Sequence, residues 1–151
     1  MRFKHLAISA LTVSMLLFPS KSLSQKIDDA EIALRTKYFS RGIVYSEKPV
    51  IQSTINASRE NLAASLFLNY STEVNVLDEA DLTLEYSKQV KRFNFAGGYT
   101  FYKYSPAYTP TRTQEIYSRV SLEDLFTPTF LAVYDFDQYD GFYTLCSYVC
   151  K

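Results

Sequence analysis

Histidine, cysteine and tryptophan are almost absent from this sequence, and their scarcity excludes much catalytic chemistry. The 151 residues contain one histidine, two cysteines and no tryptophan. The histidine, His5, lies in an N-terminal segment that we expect to be removed on export. The mature chain then lacks the histidine that Ser–His–Asp and Cys–His sites require, and histidine-containing zinc sites are excluded as well. The sequence therefore predicts that the protein is not an enzyme and binds no metal or cofactor.

The two cysteines, Cys146 and Cys150, both lie close to the end of the chain. In an extended strand, four residues at about 3.3 Å each would separate their Cα atoms by ~13 Å, beyond the ~7 Å limit for a disulfide. We therefore expect no disulfide between them if this segment is a strand, whereas a turn would permit one.

Carboxylates offer the remaining route to acid–base chemistry, through Asp81 with Glu85 or through Asp135 with Asp137. Residues spaced by two or four also share a face in any strand that has a polar side, and this interpretation is the commoner one. The acidic stretch at residues 78–81 lacks the glycine and the spacing of an EF-hand calcium loop.

Residues 1–24 have the pattern of a secretory signal peptide. Basic residues precede the apolar run Leu6–Phe18, and the small residues of Ser22–Ser24 follow it. The apolar run is shorter than the roughly 20 residues that a spanning helix needs. We expect cleavage after this segment, which leaves residues 25–151 as a single domain.

The mature chain is expected to be mildly acidic. Removal of Arg2, Lys4 and Lys21 leaves 13 basic residues against 16 acidic ones, a formal charge near −3. The remaining basic residues are scattered, and no basic patch alternates with aromatic residues. Nucleic acid is therefore not an expected partner.

Apolar and polar residues alternate along the mature chain with the period of a β-strand. The clearest example is residues 80–87, ADLTLEYS, in which every second residue is apolar. The 13 Tyr and 11 Phe residues also favour strands. Eight strands are predicted, at residues 30–39, 51–58, 62–70, 80–87, 93–101, 115–122, 130–137 and from 142 onward.

Three features favour an outer-membrane barrel over a soluble sheet. The breaks after the second, fourth and sixth strands are short, whereas those after the first, third and fifth are longer, as in barrels with short periplasmic turns and long outer loops. Aromatic residues gather at strand ends, where membrane girdles lie. The polar faces carry charges of both signs, which would be costly to bury unpaired in a soluble core. The fold class predicted is an all-β, antiparallel, up-and-down transmembrane β-barrel.

The polar faces of the predicted strands supply the candidate site. The residues expected to line the interior are Glu31, Arg35, Lys37, Asp81, Glu85, Glu115 and Arg119. Those expected in outer loops are Arg41, Gly42, Tyr104 and Tyr108.

Three stretches of the chain carry a family resemblance: YFSRGI at residues 38–43, residues 99–104, and the stretch from EIY at 115–117 to YDFD at 134–137 and DGFY at 140–143. In these stretches the chain resembles the TorF family of outer-membrane porins. The resemblance covers roughly residues 30 to 145 and implies an outer-membrane location and a transport role. The chain departs from the family by ending LCSYVCK rather than on an aromatic residue. A truncated chain that lacks closing strands and a true small barrel therefore both stay open.

The expected function is a porin-like barrel in contact with outer-membrane lipid that lets small polar solutes pass. Two alternatives remain: a closed structural or interaction barrel without conductance, and a soluble periplasmic β-sheet binding protein. An eight-stranded barrel is nearly filled by its own side chains, so a conducting pore would need further strands from a longer chain or an oligomer.

Overall fold

A computed structural model describes residues 27–40, 43–106, 108, 110–124 and 126–150. The expected signal peptide and the predicted outer-loop residues Arg41 and Gly42 lie outside the described residues. The described residues form ten strands and no helix that is long and apolar enough to cross a membrane. The strands are β1 (Ile27–Arg35), β2 (Tyr38–Ser40), β3 (Ile43–Ser46), β4 (Val50–Arg59), β5 (Leu62–Ser71), β6 (Val76–Val90), β7 (Phe93–Tyr104), β8 (Arg112–Leu122), β9 (Phe126–Asp135) and β10 (Gly141–Cys150).

Eight of these strands form one antiparallel sheet in the order β1-β4-β5-β6-β7-β8-β9-β10. Each strand pairs with the next one along the chain, apart from the small β2–β3 hairpin that lies between β1 and β4. The predicted all-β class, with eight antiparallel strands in meander order, is therefore confirmed.

The connections differ in length at the two ends of the sheet. At one end, residues 60–61 join β4 to β5 and residues 91–92 join β6 to β7. Glu60 and Lys91 both have φ of 56°, the left-handed conformation that two-residue hairpins require. The connections at the other end are longer, at residues 36–49, 72–75, 105–111 and 136–140.

The first predicted strand is wrong beyond Arg35. β1 ends there, and Tyr38–Ser40 instead pairs with Ile43–Ser46 in a separate two-stranded sheet. The Tyr38 ring stacks on Tyr45 with centroids 5.2 Å apart and also contacts Phe67 of β5. These contacts hold the hairpin against the main sheet, so the alternation of residues 30–39 does not continue as one strand.

The prediction of a long connection at residues 71–79, between the predicted strands 62–70 and 80–87, is also wrong. The connection is the turn Thr72–Asn75, in which Asn75 has φ of 54°, and β6 already begins at Val76. The pairing of β5 with β6 contains a bulge, because Asn69 pairs with Glu79 whereas Tyr70 pairs with Leu77. This bulge accommodates Asp78 and Glu79, the acidic residues that led to the prediction of a loop.

The two faces of the sheet differ in polarity, and the polar face is the covered one. Among the described side chains with almost no exposure, three are apolar and nine are polar or charged. The apolar face carries large exposed residues such as Leu62 at 47%, Phe95 at 45%, Ile116 at 50% and Phe130 at 47%. Burial is thus inverted relative to a soluble β-sandwich, in which the apolar face is covered.

The sheet has two edges, β1 and β10, which do not pair with each other in the described residues. Exposure is high at both edges, for example 80% at Ile32 and 74% at Tyr148. Cys146 and Cys150 both lie within β10, and Cys146 is exposed as a free thiol. The described structure is therefore an open sheet.

Candidate functional site

Four of the predicted interior residues lie on the polar face at the centre of the sheet. Asp81 and Glu85 belong to β6, and Glu115 and Arg119 belong to β8, with β7 between them. Glu115 is 2% exposed. The two strands therefore bring these charged groups to one surface, on either side of β7.

Glu85 is joined to β8 by two side chains that pass over β7. Tyr117 donates a hydrogen bond from its hydroxyl to Glu85 Oε2 at 2.7 Å, and Arg119 Nη2 lies 2.7 Å from Glu85 Oε1. Gly98 pairs with both Glu85 and Tyr117, so the three residues form one row across three strands. A Cβ atom at Gly98 would lie 2.4 Å from the Tyr117 ring. The absence of a side chain at this position is what lets Tyr117 reach Glu85.

A second set of hydrogen bonds lies nearer the long-loop end. The Tyr102 hydroxyl donates to Glu115 Oε2 at 2.8 Å, and Thr113 Oγ1 donates to Asp135 Oδ2 at 2.6 Å. The other Asp135 oxygen accepts backbone N–H groups from residues 137, 138 and 139. Asp135 thus orders the connection between β9 and β10, a structural role that differs from paired acid–base chemistry with Asp137.

The predicted interior residues near β1 are less enclosed. Glu31 and Arg35 lie on the same side of β1, 3.9 Å apart, and both side chains are more than half exposed. Lys37 lies beyond the end of β1 and forms an exposed ion pair with Glu47 beside the hairpin. The expectation that Lys37 shares a strand face with Glu31 and Arg35 is therefore wrong, because the strand ends before it.

The two described residues of the predicted outer loops help to line a pocket at the long-loop end. Tyr104 ends β7 and Tyr108 lies in the following connection, whereas Arg41 and Gly42 lie outside the described residues. We call this site the tyrosine pocket. It is lined by Tyr38, Tyr45, Asp78, Glu79, Tyr104, Tyr108, Pro110 and Tyr139 and encloses about 460 Å³ of free space, including the part open to solvent.

The bulge in β6 explains why two consecutive carboxylates line this pocket. Neighbouring residues in a regular strand point to opposite faces, but Asp78 is the additional residue at the bulge, and both it and Glu79 are buried against the pocket. Both residues were predicted to lie in a loop and were not among the predicted site residues. The run of acidic residues beside the clearest strand was the available signal, but a bulge has no reliable sequence pattern.

Hydrogen bonds fix the carboxylates and the tyrosines of the pocket. Asp78 Oδ1 accepts from Asn69 Nδ2 at 2.6 Å, and its Oδ2 accepts from the Tyr108 hydroxyl at 3.3 Å. Burial raises the pKa of Tyr38, and the charge of Glu79 and a hydrogen bond to it raise that pKa further. Burial also raises the pKa of Tyr108, with a further contribution from Asp78. The pKa of both phenol groups therefore lies above the usual tyrosine value of about 10.

No group of three or more His, Cys, Asp and Glu side chains is arranged to hold a metal ion within the part of the chain that the structure describes. Comparison with protein families, with curated proteins and with solved structures finds no match to the chain. The geometry of the sheet and of its polar face is therefore the basis for a proposed function.

Proposed function

We propose that the protein is an outer-membrane β-barrel of the porin class, with its apolar face in lipid and its polar face lining the interior. The inverted burial of the sheet is the observation that carries this proposal. Exposed Leu62, Phe95, Ile116 and Phe130 would contact hydrocarbon, whereas Glu85, Glu115 and Arg119 would be enclosed. In water the same apolar face would be an unusually large exposed patch.

Strand length and loop asymmetry support the same proposal. Strands β4 to β10 contain 10 to 15 residues, and a tilted strand needs about 9–11 residues to cross a bilayer. Tight turns at one end and longer connections at the other match the periplasmic and outer sides of such barrels. The long-loop end, which contains the tyrosine pocket, would face outward after export by the expected signal peptide.

Lipid cannot hydrogen-bond to open sheet edges, so the proposal requires that β1 and β10 become paired. The meander has an even number of strands, and its two edge strands therefore run antiparallel to each other. They can pair within one chain to form an eight-stranded barrel, or between two copies to form a larger one. Either arrangement satisfies both edges.

The route for small polar solutes depends on which closure occurs. An eight-stranded barrel is nearly filled by side chains, and Tyr117 and Arg119 already cross β7 on the polar face. Passage of solutes would therefore use a barrel built from more than one copy. The resemblance to the TorF family points to the same transport role.

A closed interaction barrel is the second candidate, and the position of the β2–β3 hairpin favours it. Tyr38, Ser40 and Tyr45 of the hairpin share one cavity with Phe67, Asp81 and Tyr102 of the main sheet. The hairpin therefore covers part of the polar face near its long-loop end. In a barrel of eight strands this cover would block passage.

Fractionation of the expressed and processed protein tests the membrane proposal, together with heat-modifiability on a detergent gel. We expect recovery in the outer-membrane fraction and a band that shifts on boiling, because a closed barrel resists detergent until it is heated. Recovery as a folded protein in the soluble fraction would instead support a periplasmic binding protein and overturn the proposal.

Conductance in planar bilayers then separates the two barrel candidates. Steps of current through the purified, heat-modifiable protein would support the porin. A heat-modifiable protein that inserts without conducting would support the closed barrel. Removal of the hairpin residues 38–46 provides a further comparison, since conductance that appears only after removal would identify the hairpin as the block.

A further inference from the structure

The tyrosine pocket combines aromatic rings with carboxylates in a way that suits a cation. Five of its lining residues are tyrosines and two are acidic. Aromatic faces attract cations through their quadrupole, and pockets of this kind recognise ammonium groups. Compact inorganic cations are more strongly hydrated and prefer several oxygen ligands.

The burial of Asp78 is the strongest indication that the pocket binds a positively charged ligand. Its side chain is 5% exposed, and its two oxygens accept hydrogen bonds from neutral donors, Asn69 and Tyr108. Within the described residues no Lys or Arg forms an ion pair with it. A buried carboxylate without a cationic partner is costly, and a bound cation would offset that cost.

The rings of the pocket are held in place by the surrounding elements. Tyr38 stacks on Tyr45 at 5.2 Å, and Tyr104 stacks on Tyr102 at 6.3 Å with the planes only 9° apart. The backbone N–H of Tyr108 donates to the Ser105 carbonyl at 2.9 Å, and that of Ser105 donates to the Asp78 carbonyl at 2.8 Å. The loop that carries Tyr108 is therefore tied to the strand that carries the carboxylate.

We propose that the tyrosine pocket binds a small organic ammonium cation, with Asp78 and Glu79 facing the charge and the tyrosine rings surrounding the alkyl groups. This proposal goes beyond the proposed function, because it does not require the barrel to conduct. The proposal names alkylated amines as the ligand class, which the charges of the polar face alone would not predict.

Calorimetric titration of the full mature protein with choline tests this proposal. The matched ligand is dimethylbutanol, the uncharged analogue in which carbon replaces the choline nitrogen. We expect saturable choline binding and affinity for the analogue weaker by about ten-fold or more, since only the charged ligand can make cation–π contacts with the tyrosine rings. Equal binding of both ligands, or no saturable binding to the folded protein, would overturn the proposal.

Variants then assign the binding to the pocket. Tyr108→Leu removes one ring and should weaken choline binding roughly five- to thirty-fold. Asp78→Asn removes the charge and should weaken it by about ten-fold. Tyr108→Phe keeps the ring and should retain most of the affinity. If Asp78→Asn fails to fold, the comparison of Tyr108→Leu with Tyr108→Phe still tests the pocket, and equal binding by these two variants would contradict the assignment.

Tyr148→Leu is the control, since Tyr148 lies on β10 outside the pocket and is 74% exposed. It should bind choline as the unmodified protein does, and an equal loss in this variant would contradict the assignment. The heat-modifiable band is recorded for every variant, so that failure of the barrel proposal is distinguishable from failure of the ligand proposal.

Discussion

The centre of the sheet and its β10 edge differ in which side chains lie on the polar face and in whether these side chains have partners. At the centre, Glu85 is bound by Tyr117 and Arg119 from two strands away. On β10, the residues of the same face include Leu145 and Val149, which are 56% and 63% exposed. The centre is therefore complete within the described chain, whereas the edge has apolar side chains on both faces and needs a covering.

This difference separates the interactions that stabilise the sheet from the strand pairing that the edges of the sheet lack. In the centre, hydrogen bonds span three strands and fix their relative positions. At the edge, the backbone of β10 is paired on one side only, with β9. The membrane proposal therefore depends on the edge, while the stability of the open sheet depends on the centre.

Cross-linking the two edges is the experiment with the largest expected effect, because its result is all or none. Cys146 lies on the apolar face of β10, and Ala30, Ile32 and Leu34 lie on the apolar face of β1. We expect cysteine at one of these three positions, in a Cys150→Ser background, to form a disulfide with Cys146 upon oxidation of the folded protein.

A non-reducing gel distinguishes the two kinds of closure. A faster-migrating monomer would indicate pairing within one chain, and a dimer would indicate pairing between two copies. Ala33→Cys, which faces the other side of β1, is the control and should not cross-link. Absence of a disulfide at all three positions in a heat-modifiable protein would contradict the pairing of β1 with β10.

Gly98→Ala is expected to have the largest effect at the centre. Its Cβ would displace the Tyr117 ring and break the hydrogen bond to Glu85. Loss of a hydrogen bond to a charged group should lower the free energy of unfolding by about 2 kcal/mol, measured by urea denaturation of the protein in detergent.

Gly97→Ala is a closely matched control for this variant. A Cβ at Gly97 meets only the Tyr117 backbone oxygen, at an ordinary contact distance of 3.6 Å. It should leave the stability almost unchanged. In a Tyr117→Phe background, the cost of Gly98→Ala should shrink because the hydrogen bond is already lost, and an undiminished cost would show that the clash acts through other contacts.

The sequence was sufficient to predict the eight strands of the main sheet approximately, but not the β2–β3 hairpin or the contacts between strands that are not neighbours. Alternation is a local pattern, so it identified the strand at residues 80–87 and the meander order. The role of Gly98 depends on the hydrogen bond between Tyr117 and Glu85, which lie two strands apart in the sheet and 32 positions apart along the chain. No local pattern specifies that a ring will cross a glycine.

The limits of local patterns also explain the two incorrect predictions, the end of β1 and the loop at Asp78 and Glu79. The first strand was predicted to continue to Phe39 because the alternation continues there, although Tyr38 packs against Tyr45 and Phe67 in a separate hairpin. Asp78 and Glu79 were predicted to lie in a loop because adjacent acidic residues are unusual in strands. In both cases tertiary contacts override the local pattern.

Removing single ion pairs should have a smaller effect on stability, and the effect should differ between covered and exposed regions of the sheet. Arg119→Met breaks the pair with Glu85, whose side chain is 18% exposed, and should cost about 1–2 kcal/mol of unfolding free energy. Arg92→Met breaks the pair with Asp124, in which both side chains are about half exposed or more, and should cost under about 0.5 kcal/mol. Equal effects in urea denaturation would show that the centre is no more protected than the surface.

The smallest expected effect is on the pH dependence of stability. It compares Tyr38, which covers the polar face near its long-loop end, with Tyr148 on the β10 edge. Burial and Glu79 raise the pKa of Tyr38 in the folded protein above its unfolded value of about 10. Since the folded state holds this proton more tightly, the stability due to the Tyr38 phenol is fully present below about pH 10 and is lost as the pH rises toward the folded pKa.

Urea denaturation below and above about pH 10 should therefore show a fall in stability that Tyr38→Phe reduces. Tyr148→Phe, at an exposed position on β10, should leave the fall unchanged. An equal reduction in both variants would mean that the alkaline loss reflects general charge repulsion and not the hairpin. Because Tyr38 is also the residue that stacks on Tyr45 and contacts Phe67, a selective effect would show that the β2–β3 hairpin is docked on the polar face in solution.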